Sequence, residues 1–147
     1  SQILKETVFS YYDNCMEQGI RPQFEITEES VWIQGNRQAL RRTMQNIIKN
    51  GLDHGNKEIN IQLTKNGNEA ELVFRNKVTD PGEIDIKRVF ERFYKADRAR
   101  SKNSTGLGLS ISRGFVWKMN GEITAEIEGN WFCIKIRFAC EQFEGIH

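Results

Sequence analysis

Residues 59–74 read INIQLTKNGNEAELVF, and their pattern decides what kind of fold the chain makes. Ile59, Ile61 and Leu63 alternate with polar residues, Asn66-Gly67 supplies a turn, and Leu72 and Phe74 resume the alternation. A period of two puts one set of side chains on one face, so the stretch predicts an antiparallel hairpin with one face buried. A second hairpin is predicted from Ile123, Ala125 and Ile127, a turn at Gly129-Asn130, and then Phe132, Ile134, Ile136 and Phe138. A third is expected nearer the start, where the β-prone runs 24–27 and 31–34 are joined by a polar turn.

A sheet with one apolar face needs a cover, and three helical patterns offer it. Leu4, Val8, Tyr12, Cys15 and Met16 suggest an opening helix that stops at Gly19. After Asn36, a capping residue, Leu40, Met44, Ile47, Ile48 and Leu52 recur at helical spacing until Gly55. Leu107, Ile111, Phe115 and Met119 mark a helix that stops at Asn120-Gly121, and a short helix is expected around Phe90. The predicted fold class is α/β, a two-layer sandwich whose mainly antiparallel mixed sheet is covered on one face by helices. The 147 residues fit one domain, with its core over about residues 20–139.

Composition excludes several function classes. A net charge of +1 lacks the basic excess of a general nucleic-acid binder. The three cysteines, Cys15, Cys133 and Cys140, are widely spaced and lack a C-x-x-C pair, so neither a disulfide framework nor a zinc site is indicated. No apolar run approaches the ~20 residues of a membrane span, and the segment is expected to be a soluble, cytoplasmic one.

Two clusters carry chemistry. Asn46, Asn50 and His54 recur every fourth residue and form one row on the helix, largely away from its apolar stripe. That row reads either as a solvated polar face or as oxygen ligands for Mg²⁺, which takes few protein groups together with substrate phosphates. Further on, Arg92, Lys95, Arg98 and Arg100 precede a Thr105-Gly106-Leu107-Gly108 turn that opens a helix. Unpaired N–H groups and the dipole at a helix N-terminus favour an anion, and glycine permits close approach. Solvated cations beside an ordinary loop are the other reading.

Taken together and in order, these residues resemble the catalytic ATP-binding domain of bacterial sensor histidine kinases, within the Bergerat-fold ATPases. The stretch from Asn46 through Asn50 and Gly51 to His54 is similar to the family's N box, Phe90-Glu91-Arg92-Phe93-Tyr94 to its F box, and Thr105-Gly106-Leu107-Gly108-Leu109 to its second glycine box. Residues 95–104 would then be the ATP lid. The first glycine box departs from the family pattern D-x-G-x-G. Asn76 closes a strand and precedes Phe90 by the family's interval of fourteen residues, so it takes the place of the adenine-contacting aspartate, with Val78 at the first glycine. Asp80-Pro81-Gly82 is the competing placement. A further departure is Asp53, where the family often has a cation near the phosphates.

The resemblance implies that the chain binds Mg-ATP and presents its γ-phosphate to a histidine on a separate dimerisation domain of the same protein. It assigns Mg²⁺ to Asn50. The ATP contacts fall to Asn46, His54, Asn76, Tyr94, Lys95, Arg100, Thr105, Gly106, Leu107, Gly108 and Leu109. No residue of this chain is expected to act as a catalytic acid, base or nucleophile. His54 and His147 are the only histidines, and neither has the setting of the family's phosphoacceptor. The implied partners are the upstream dimerisation domain and a response regulator, and the whole protein would be a membrane-anchored sensor. Two other readings stand beside this one: a degenerate module that binds nucleotide or a partner, and a Bergerat-type ATPase. The latter class uses a glutamate as base where this chain has Asn46.

Overall fold

The computed structural model describes residues 6, 9, 10, 13, 16, 17, 23–27, 31, 33, 36–54, 58–78, 86–91 and 108–140; at 37, 50–54 and 108 it describes the backbone alone. Five strands form one sheet: β1 (Gln23–Ile26), β2 (Ile59–Asn66), β3 (Glu69–Lys77), β4 (Glu122–Glu128) and β5 (Trp131–Ala139). Their order is β1-β2-β3-β5-β4. Helices α1 (Arg37–His54) and α2 (Gly108–Lys118) pack against the sheet.

The two later hairpins form as their alternation dictates. Ile61 and Leu63 of β2 face Phe74 and Leu72 of β3 in register, and Ile123 and Ala125 of β4 face Ile136 and Ile134 of β5. Gly67 and Gly129 each occupy the first of two turn positions, with φ of 59° and 62°, a conformation that glycine adopts without steric cost. β5 then returns to pair with β3, so the two hairpins become one sheet.

The early hairpin does not form. β1 instead lies parallel to β2, Phe24 opposite Ile61, and the Thr27 N–H donates to the Leu63 carbonyl at 2.9 Å. Ile33 bridges to Cys140 at the far end of the chain. The connecting residues Thr27-Glu28-Glu29-Ser30 include no glycine or asparagine with which a tight turn reverses direction, so each run finds a distant partner. Val31 and Ile33 are fully buried all the same, and their alternation is used.

Helix α1 begins as expected, with the Asn36 Oδ1 accepting the Ala39 N–H at 3.0 Å, a cap whose loss costs about 1 kcal/mol. Leu40, Met44, Ile47 and Ile48 are buried against Ile61, Leu63, Leu72 and Ile136, and full burial of each such side chain contributes about 1.5–3 kcal/mol. Leu52 lies among the side chains outside the described residues. In the opening segment the described residues 6, 9, 10, 13, 16 and 17 are helical, but Met16, expected in the apolar stripe, is 43% exposed.

Helix α2 buries a different face from the one its apolar residues suggest. Leu109, Ser112 and Val116 are buried, whereas Ile111 is 42% exposed and Phe115 half-buried. The reason is the small Ser112, fully buried against α1, whose hydroxyl donates to the Thr43 carbonyl at 3.5 Å. A serine at the contact lets the helices approach closely, and this turns Ile111 outward. Asn120, in the left-handed region at φ 59°, ends the helix: the Gly121 N–H reaches the Val116 carbonyl and the Asn120 N–H that of Trp117, which is a Schellman closure. Residues 86–91 form turns rather than the short helix expected around Phe90, with Val89 buried and the Glu91 N–H donating to the Arg88 carbonyl.

The opposite sheet face buries Val73 and Cys133 but is otherwise laced by polar links. Gln62 links β1 to β3 by donating to Glu25 and accepting from Arg75, each at 2.6 Å, and Lys135–Glu126 and Arg137–Glu71 pairs span the other strands. Cys133 and Cys140 are free thiols.

Candidate functional site

Asn76 sits two residues beyond Phe74 on β3, so the pleat puts its side chain in phase with Leu72 and Phe74, on the face the helices cover. It is the one position of that row that is not apolar, and only 6% of it is exposed. In register it lies between Ile59 of β2 and Phe132 of β5. Ile47 and Ile48 of α1 close over it, leaving a cavity of about 10 Å³, just enough for one water. An amide carries four hydrogen-bonding sites, so this side chain adds polar capacity to a wall of isoleucine and phenylalanine.

The strand end that carries Asn76 is held from both sides. Lys77 donates its N–H to the Glu58 carbonyl at 3.1 Å, and Val78 donates its own to the Asn130 carbonyl at 2.8 Å. Strand β3 therefore runs past Asn76 to Lys77. Val78, expected at the place of the family's first glycine, is 3% exposed and belongs to the core.

Helix α1 brings the asparagine row to the same end of the fold. Ile47 and Ile48, which wall the Asn76 cavity, stand next to Asn46, which is half-buried. Asn50 and His54 occupy the last turns of α1, with side chains outside the described residues, as is that of Asp53. Helix α2 runs against α1 in the opposite sense: Ser112 meets Thr43, and Phe115 and Met119 share a groove with Asn36 and Ala39. The Gly108 end of α2 therefore lies toward the second half of α1. Among the described residues α2 begins at Gly108, and Leu109 is 7% exposed and packed in the core. Leu109 thus anchors the helix start from below.

Tyr94, Lys95, Arg100, Thr105, Gly106 and Leu107 lie outside the described residues, as do the lid 95–104 and Asp80-Pro81-Gly82. Of the expected contacts, Asn46, Asn76 and Leu109 are described in full, and Gly108 by its backbone. Ile47, Ile48, Ile59 and Phe132, the walls around Asn76, were not anticipated as site residues. The first two follow Asn46 directly in the chain, whereas Ile59 and Phe132 become its neighbours only through strand pairing. Among the described residues there is no group of three histidine, cysteine or acidic side chains that could hold a metal.

Residues 35–140 match the family described as histidine kinase-, DNA gyrase B- and HSP90-like ATPases. Sensor histidine kinase YcbM of Bacillus subtilis (strain 168) is 30% identical over 130 residues, which are 86% of this chain and 42% of that protein. Sensor histidine kinase WalK of the same organism is 27% identical over 129 residues, covering 83% of this chain and 21% of WalK. The chain thus spans less than half the length of these curated relatives. Among solved structures, the catalytic domain of histidine kinase ThkA superposes with a TM-score of 0.72 at 19% identity, over 93% of this chain and 90% of that one. A mycobacterial sensor histidine kinase, MprB, gives 0.70 at 20% identity over 96% and 94%. The fold is that of histidine kinase catalytic domains, and the chain belongs to the histidine kinase-, DNA gyrase B- and HSP90-like family of ATP-binding domains.

Proposed function

We propose that this chain is the single ATP-binding domain of a sensor histidine kinase, which holds Mg-ATP and presents the γ-phosphate to a histidine on a separate dimerisation domain. The observation that carries the reading is the amide of Asn76, 6% exposed at the end of β3 beneath the helix that bears Asn46 and Asn50. In this account the Asn76 oxygen accepts from the adenine amino group while Ile47, Ile48, Ile59 and Phe132 exclude water from that bond.

Asn50 and Asn46 face the phosphates. Neutral amide oxygens are hard donors that suit Mg²⁺, an ion usually held through few protein groups together with the nucleotide's phosphates. When bound, that ion neutralises phosphate charge. The first turn of α2, from Gly108, offers unpaired N–H groups to the phosphate oxygens, while Lys95 and Arg100 supply positive charge. His54, Tyr94, Thr105, Gly106 and Leu107 complete the contacts, and Leu109 fixes the α2 start. Phosphoryl transfer depends mainly on such positioning and neutralisation.

The acceptor histidine, the acid or base beside it and a response regulator lie on other domains or proteins. The whole protein is a membrane-anchored sensor with this domain on the cytoplasmic side, and no helix among the described residues is long and apolar enough to cross a membrane. Asn46 stands where a self-hydrolysing relative needs a glutamate base, so the chain alone should turn ATP over negligibly. Steady-state phosphate release tests this. Turnover at background level, with acid-labile phosphohistidine appearing only when the dimerisation domain is added, supports the kinase reading. Rapid hydrolysis by the chain alone, abolished in Asn50→Ala, overturns it in favour of an ATPase.

A further inference from the structure

The first turns of α1 and the last turn of α2 leave a groove of about 520 Å³ between them. That volume is within the range of small-molecule sites. It is lined by the apolar side chains of Ala39, Phe115 and Met119 and by two cations, Arg42 and Lys118. No carboxylate is among the described residues that line it. Neither Arg42 nor Lys118 has an acidic partner among the described residues. The Asn36 side chain is already committed to the helix cap, Gln38 and Asn120 are neutral, and both charged groups among the described lining residues are positive.

We propose that this groove binds a small amphiphilic carboxylate, its apolar body on Phe115 and Met119 and its anionic head between Arg42 and Lys118. Burial of apolar surface supplies the attraction, and the two cations set the charge of the head group. The site is distinct from the nucleotide site. Seven residues separate Ala39 from Asn46 along α1, about 10 Å of helix, and α2 presents its opposite end, Gly108, to the phosphates. The inference therefore does not depend on the nucleotide reading.

Amide resonances of Ala39, Phe115, Met119 and Asn120 report occupancy in a titration with decanoate below its micelle concentration. Octyl glucoside serves as the neutral amphiphile and a glutamate-rich peptide as the polypeptide alternative. Decanoate should shift these resonances saturably, octyl glucoside should bind at least tenfold more weakly, and Arg42→Glu/Lys118→Glu should weaken decanoate at least tenfold. Both cations are exposed, so an unchanged melting temperature verifies that the variant folds. The proposal is overturned by any of four results: no saturable shift, equal binding of octyl glucoside, indifference to the charge reversal, or binding of the peptide but not of decanoate.

Discussion

Asn76 concentrates the account at the scale of single residues. Its place at a strand end was legible in the sequence, but its burial was not, because Ile59 and Phe132 reach it only through pairing across three strands. An aspartate there would accept from the adenine amino group and repel guanine's carbonyl oxygen, whereas an amide can flip and satisfy either. Asn76→Asp should therefore raise the ATP-over-GTP affinity ratio by about 1 kcal/mol, roughly fivefold, through a charge-assisted bond. It should also lower the stability of the nucleotide-free protein, because an ionised carboxylate enters a site only 6% exposed. Binding of both nucleotides at saturating Mg²⁺ measures the first effect and a denaturant midpoint the second. An unmoved or reduced ratio would return the adenine contact to Asp80.

At the scale of elements, the hairpins β2–β3 and β4–β5 were legible because alternation and turn glycines are local signals. The buried face of α2 was not, since Ser112 reads as polar and Ile111 as core, and only the closeness of α1 reverses them. The end of α2 is more exacting. A methyl group on Gly121 would stand 2.8 Å from both the Arg137 carbonyl oxygen and the Phe138 ring, and the former is backbone that cannot turn aside. Gly121→Ala should destabilise the fold by about 1–3 kcal/mol in chemical denaturation, and a neutral result would mean that the α2–β4 junction is looser than described.

On the open face of the β4–β5 hairpin, the hydrogen bond and charge of Lys135 hold the Glu126 carboxyl below the ordinary glutamate value. A carboxylate depressed in the folded state stabilises it above the unfolded pKa, and that contribution is lost as pH falls through the folded pKa. The pair is exposed and its effect on stability correspondingly small, so the titration itself is the sensitive readout. Lys135→Met should move the Glu126 midpoint upward in a carboxyl-detected NMR titration. A midpoint that stays put would show that the pair is not made in solution.

Over the whole molecule, the two-layer plan followed from the sequence pattern because every strand alternates and the helices are amphipathic. The parallel placement of β1 and the bridge between Ile33 and Cys140 did not follow, since they join segments far apart in the chain with no local turn to announce them. The helix pair then sets the functional geography, with the proposed phosphate-facing ends of α1 and α2 together at one side of the sheet and the amphiphile groove at the other. Calorimetric titration of ATP onto this chain, with and without Mg²⁺ and repeated with Asn50→Ala, tests the central claim most directly. Alanine keeps the helix intact, so a loss reports the ligand and not the fold. The account predicts saturable one-to-one binding that weakens at least tenfold when either Mg²⁺ or the Asn50 amide is removed; absence of binding, or an affinity indifferent to both, would contradict it.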